Sequence, residues 1–204
     1  LGNGLERVIE QLVKNNSKFV LLSSHSKYDI NVVNVDGEKW IYNITEYLIK
    51  RGYSDIFYAT FALETVEELN RERGFKRALN DYRLSSKGRV ITCGYDIKGV
   101  YQSIQNLLTN TSVRAIVCWN DLLALQIINV LKEAGKRIPE DIAVTGFDDI
   151  VQDMFFTPQL TTVKQPFVEK GRCAMNLLVD VIEGRIKEPV KRFVECSIVE
   201  RESV

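Results

Sequence analysis

Short apolar runs and longer amphipathic stretches alternate along this chain. Phe19–Leu22, Ile56–Ala59, Val90–Thr92, Ala115–Cys118 and Ile142–Thr145 are brief apolar runs of the kind that form buried strands. Trp40–Ile49, Val66–Tyr82, Ile104–Leu108, Leu122–Leu131 and Val168–Ile182 carry the helical pattern. Trp40, Ile44 and Leu48 recur in steps of four, and Ala124, Ile127, Ile128 and Leu131 fall on one helical stripe. Helix ends are marked too. Thr65 followed by Glu68 has the form of a capping box. Gly135 suits a left-handed cap, Lys136 and Arg137 suit the negative end of a helix, and Pro139 blocks continuation. The alternation predicts βαβ units that build a mostly parallel α/β sheet. The opening is different, because Leu1–Gly4 runs straight into a helical pattern, Leu5–Val13, with no strand before it.

Composition narrows the function classes. A chain of 204 residues can form one large domain or two small lobes around real cores. Its 27 basic and 27 acidic residues cancel, so the basic stripe expected of a nucleic-acid reader is not visible. No apolar run is long enough to span a membrane, and no charged-then-apolar leader pattern opens the chain. The four cysteines are scattered without CxxC spacing, which predicts reduced thiols in a cytoplasmic protein. The lone histidine, His25, has no second metal ligand near it in sequence, and no metal is expected. No cofactor is expected either: the one glycine cluster, Gly2-Asn3-Gly4, follows no strand and cannot be a phosphate loop.

Two junctions carry candidate chemistry. Polar residues directly follow apolar strands at Asn120-Asp121 and at Asp148-Asp149, and ligands of α/β proteins bind outside the carboxyl ends of parallel strands. Asp121 is expected to cap the following helix, while Asn120 can donate to and accept from a hydroxyl. The Asp148 carboxylate can accept from vicinal hydroxyls; Asp149 is expected to serve the turn. No nucleophile or histidine accompanies these carboxylates, so an enzyme is not expected.

The order of Asn120-Asp121, Gly146-Phe147-Asp148-Asp149 and Pro158-Gln159-Leu160-Thr161-Thr162-Val163 resembles the effector-binding domain of the lactose/galactose-repressor family of transcription regulators. The likeness continues through Lys164-Gln165-Pro166 and Gly171-Arg172 to the terminal Arg201-Glu202-Ser203, and Arg71-Glu72-Arg73-Gly74-Phe75 resembles the family's Arg-x-x-Gly-Phe segment. The resemblance implies a two-lobed, periplasmic-binding-protein type I-like fold with parallel sheets flanked by helices and an incomplete first lobe. It implies a first lobe of residues 1–59 plus 166–188 and a second of residues 60–165 plus 189–204. It further implies a sugar or similar metabolite in the cleft, contacted by Arg71, Asn120, Asp148, Tyr95, Ser23, Trp119 and Gln165. Ligand-dependent lobe closure would alter operator affinity, with the DNA-binding domain outside this chain and a homodimer as the working form. An extracytoplasmic sugar-binding protein of a transport system is the alternative.

Two positions depart from the family pattern. Ser23 stands where many relatives place an aspartate, and Trp119 where a small residue is usual. The indole would narrow the pocket, stack on the ligand or fill a gap in the lobe. Tyr95 lies where relatives place an aromatic ring against the effector, although its spacing to Gly99 is about one residue short of the pattern, which leaves a plain loop role open.

Overall fold

The structure is a computed structural model and describes residues 2–22, 28–61, 65–150, 157–187 and 189–204. Its elements run α1 (Gly2–Lys14), β1 (Leu21–Leu22), β2 (Val32–Asn34), α2 (Gly37–Lys50), β3 (Ile56–Phe61), α3 (Val66–Asp81), β4 (Val90–Cys93) and α4 (Ile97–Asn110). The chain continues through β5 (Ala115–Cys118), α5 (Asp121–Glu133), β6 (Ala143–Asp148), β7 (Thr161–Lys164), α6 (Phe167–Ile182), β8 (Lys191–Phe193) and β9 (Ser197–Val199). The expected α/β class with parallel sheets is what forms. Two compact units result: residues 1–36, 65–67 and 166–196, and residues 37–64, 68–165 and 197–204.

The first unit holds a parallel sheet in the order β1-β2-β8. Its core gathers Val33 with Ala174, Leu177 and Val181 of α6, and Val20 and Val190 pack against them. Asn31 stitches the unit at the start of the strands: its amide donates to the Phe19 carbonyl, and its Oδ1 accepts from the Val190 N–H at 2.9 Å.

The second unit is built on a sheet of order β4-β3-β5-β6-β7-β9, parallel through β7 and antiparallel at β9. Residues 56–60 of β3, all of β5 and residues 143–147 of β6 are buried, which is why they read as unbroken apolar runs rather than alternating ones. Helices α4 and α5 bury Val100, Ile104, Leu123, Ala124, Ile127 and Leu131 against this sheet. On α3, Gly74 passes so close to α2 that a β-carbon would collide with the Glu38 carbonyl. The sequence division puts residues 37–59 with the first unit. In the structure they belong to the second, because β3 lies between β4 and β5 as an inner strand and cannot leave without splitting the sheet. Residues 189–196 go the other way, since β8 pairs with β2.

Candidate functional site

The strand order of the second unit reverses between β3 and β5: the chain leaves β3 for β4 on one side and returns to β5 on the other. Such a switch point leaves a crevice outside the carboxyl ends of the strands. Phe61 ends β3, Trp119-Asn120 follow β5, Asp148 ends β6 and Tyr95 follows β4, so these side chains emerge on one edge.

Arg71 of α3 is 7% exposed. Its guanidinium carbon lies 3.8 Å from the centre of the Phe147 ring and 5.0 Å from that of Trp119. Nη1 donates to the Trp119 carbonyl at 2.5 Å, and Nη2 stands 4.0 Å from Oδ1 of Asp148. Nε is buried with no acceptor among the described residues, and the Trp119 Nε1 is in the same condition. Asp148 in turn accepts from Gln165 Nε2 at 2.6 Å. A buried cation is thus matched by a carboxylate that is itself held by an amide, an arrangement able to give and take hydrogen bonds.

Beside this polar set runs a row of rings. Tyr95 stacks on Phe61 with centroids 5.6 Å apart and planes 12° apart, and Phe61 meets Trp119 edge-on at 6.2 Å. Tyr95 is 61% exposed, which leaves ring surface open to a ligand.

Comparison with known proteins decides the family. The periplasmic binding protein-like domain family matches residues 45–204. The chain belongs to that family. As a periplasmic binding protein-like domain it is 36% identical to the HTH-type transcriptional repressor PurR of Vibrio atlanticus over 83% of this chain and 51% of the relative. It is 33% identical to PurR of Escherichia fergusonii over 80% and 48%. The chain spans about half the length of these curated relatives. Among solved structures it superposes on the regulator CelR in complex with cellobiose (TM-score 0.86, 27% identity, 97% of this chain and 62% of that one). It also superposes on a LacI-family regulator of Enterococcus faecium with bound ribose (TM-score 0.84, 28% identity, 96% and 74%).

Of the expected site residues of this periplasmic binding protein-like domain, Arg71, Trp119, Asp148 and Gln165 come together, and Tyr95 joins them through Phe61. Ser23 lies outside the described residues. The capping roles at the head of α5 are the reverse of those expected. Asn120 is the cap: its Oδ1 accepts from the Leu123 N–H at 3.0 Å, and its amide NH2 has no acceptor among the described residues. Asp121 instead turns inward, with Oδ1 accepting from the Thr162 hydroxyl at 2.6 Å and Oδ2 from the Ile150 N–H at 3.0 Å. The physical reason is geometric. A residue with extended φ and ψ, as Asn120 has, aims its side chain back at the first free amides of the helix, whereas Asp121 is already helical. Burial pushes the Asp121 carboxyl above its usual range, and the Thr162 and Ile150 hydrogen bonds oppose that shift. Asp149, expected to serve the turn, is held by ion pairs to Arg201 at 2.8 Å and Lys164 at 3.5 Å. Sequence reasoning missed Phe61, although the apolar run from Ile56 extends to it once Thr60 is allowed as a strand residue.

Proposed function

We propose that this chain is the effector-sensing part of a DNA-binding transcription regulator and takes an uncharged, hydroxyl-rich small molecule, a sugar or sugar derivative, at this edge. The observation that carries the reading is the Arg71–Asp148–Gln165 set beside the Tyr95–Phe61–Trp119 row. The polar set offers both donors and acceptors to hydroxyls, and aromatic faces suit the apolar face of a sugar ring. Asn120 contributes its amide donors. Arg71 and Asp148 offset each other's charge, which favours a neutral ligand over an anion. Relatives that are repressors support a regulator over a transport protein, and also over an enzyme. In this reading the intact protein is a cytoplasmic homodimer that reaches operator DNA through a domain outside this chain. A ligand moves such an equilibrium only by its differential affinity for the two states, and a coupling of about 1–3 kcal/mol changes DNA affinity roughly 5–150-fold.

The test is a calorimetric screen of sugars, including cellobiose and ribose, against the full-length protein and its Asp148→Ala variant. Loss of one charge-assisted hydrogen bond, about 1.5–3 kcal/mol, lowers affinity roughly 10-fold or more. Asp149→Ala should lower the melting temperature and cost less affinity than Asp148→Ala, because its partners are Arg201 and Lys164. Equal affinity in wild type and Asp148→Ala removes Asp148 from the site.

A further inference from the structure

We infer that Asp121 is the positioning residue of this site: its buried carboxylate clamps the turn 148–150 and so fixes where the Asp148 carboxylate stands. The inference rests on the reading of Asp148 as a ligand contact for its functional meaning, and on geometry alone for the clamp.

The turn needs a clamp. Asp148 and Asp149 have φ of 122° and 58°, successive residues in a region that side chains with a β-carbon rarely occupy. Such conformations persist where surrounding structure over-determines them, and they cluster at ligand sites. Asp121 supplies that determination from three sides. Its Oδ2 takes the backbone N–H of Ile150, two residues past Asp148. Its Oδ1 takes the hydroxyl of Thr162 on β7, whose Cα partner on β6 is Gly146. Gly146 lies two residues ahead of Asp148, and its missing side chain leaves room for this carboxylate: a β-carbon there would collide with Asp121 Oδ1 and come within 2.8 Å of Leu160. One buried group therefore ties the start of α5, the backbone of β6, the hydroxyl of β7 and the turn together. Its neighbour Asn120 does the capping, which leaves Asp121 available for this role. Lys164 and Arg201 hold the side chain of Asp149, and the Gln165 N–H reaches the Asp148 carbonyl at 3.3 Å. These contacts border the turn from the β7 and C-terminal side; Asp121 holds it from the α5 side.

The test uses the full-length protein with Asp121→Asn, Asp148→Ala, the double variant and Thr162→Val. The asparagine is isosteric but uncharged and has a single acceptor oxygen, so the charge-assisted hold on the Ile150 N–H and the Thr162 hydroxyl is lost. Amide hydrogen exchange at Ile150 should quicken at least about 10-fold in Asp121→Asn, with Val144 and Val163 still protected. Thr162→Val, which removes one partner and keeps the shape, should quicken it in the same direction and covers the case in which Asp121→Asn does not fold. Affinity is read with whichever of cellobiose and ribose binds; if neither does, exchange at Ile150 decides the clamp. A residue that acts through Asp148 is non-additive with it, so Asp121→Asn should weaken binding in wild type and add nothing in the Asp148→Ala background. Unchanged exchange at Ile150 in the folded variants, or full additivity in the double variant, overturns the inference. If Asp148→Ala leaves affinity intact while Ile150 exchange still responds, the ligand reading fails and the clamp stands.

Discussion

Arg71 is a cation placed where charge is expensive, and its surroundings explain how it is kept. Phe147 lies against one face of the guanidinium, Trp119 lies near it, the Trp119 carbonyl takes one nitrogen and Asp148 stands near another. A planar fork can satisfy rings, a carbonyl and a carboxylate at once, whereas an ammonium cannot. Arg71→Lys should therefore cost stability as well as ligand affinity, by roughly 1–2 kcal/mol in a urea titration, because a stacked and desolvated guanidinium contact is lost. An unchanged urea midpoint would mean that the guanidinium plane contributes nothing to this packing. The same cluster clarifies Trp119. Its ring packs edge-on against Phe61 and lies 5.0 Å from the Arg71 guanidinium carbon, which ties it to both the ring row and the polar set. The types of these residues were legible in the sequence, and Arg71, Asp148 and Gln165 do meet. Their partners were not. The exchange of roles between Asn120 and Asp121 depends on where α5 begins to the residue, and a single-residue shift in a helix start sends a side chain from the cap to the interior.

At the scale of elements, the strands that read most clearly are those buried on both faces. β3, β5 and β6 have no polar alternation to confuse their signal, whereas β2, β8 and β9 are three residues each and carry mixed patterns that only pairing can define. Lys191-Arg192-Phe193 has no strand signature until Val32–Asn34 lies beside it. The end of α5 was legible: Gly135 takes φ of 73°, and the N–H of Lys136 closes on the Leu131 carbonyl at 2.9 Å. Just beyond this cap lies a small charged knot in which Asp141 accepts from the backbone N–H of Arg137 at 2.8 Å and from its guanidinium at 2.9 and 3.2 Å. These hydrogen bonds hold the Asp141 carboxyl down to about 2, against an ordinary value of 3.8. A depressed carboxylate stabilises the fold above its unfolded pKa and loses that contribution as pH falls through the folded one. Asp141→Asn should accordingly melt below wild type at neutral pH, and the gap should shrink from pH 3.8 downwards and close near pH 2. A gap that does not change with pH would place the effect of Asp141 in shape rather than charge.

At the scale of the whole molecule, what the chain lacks in charge is as informative as what its site contains. Its relatives include HTH-type transcriptional repressors, yet 27 basic residues are balanced by 27 acidic ones here. Many of the basic groups are already paired. Arg51 with Glu200, Arg77 with Glu38, Arg137 with Asp141 and Arg201 with Asp149 all sit in ion pairs within the second unit. A cation held by a neighbouring carboxylate releases few counterions when it approaches a phosphate, and counterion release supplies most of the non-specific affinity for DNA. This chain alone should therefore bind operator DNA neither tightly nor specifically. In a gel-shift series from about 50 to 200 mM salt, a protein that makes 6–10 phosphate contacts loses roughly 10³–10⁵ in affinity, and this chain should show no such binding to lose. The full-length regulator should show it, and a sugar that binds the chain should change the full-length affinity without creating one in the chain. A salt-sensitive, sequence-specific shift with the chain alone would assign DNA recognition to these two units and overturn the division of labour proposed here.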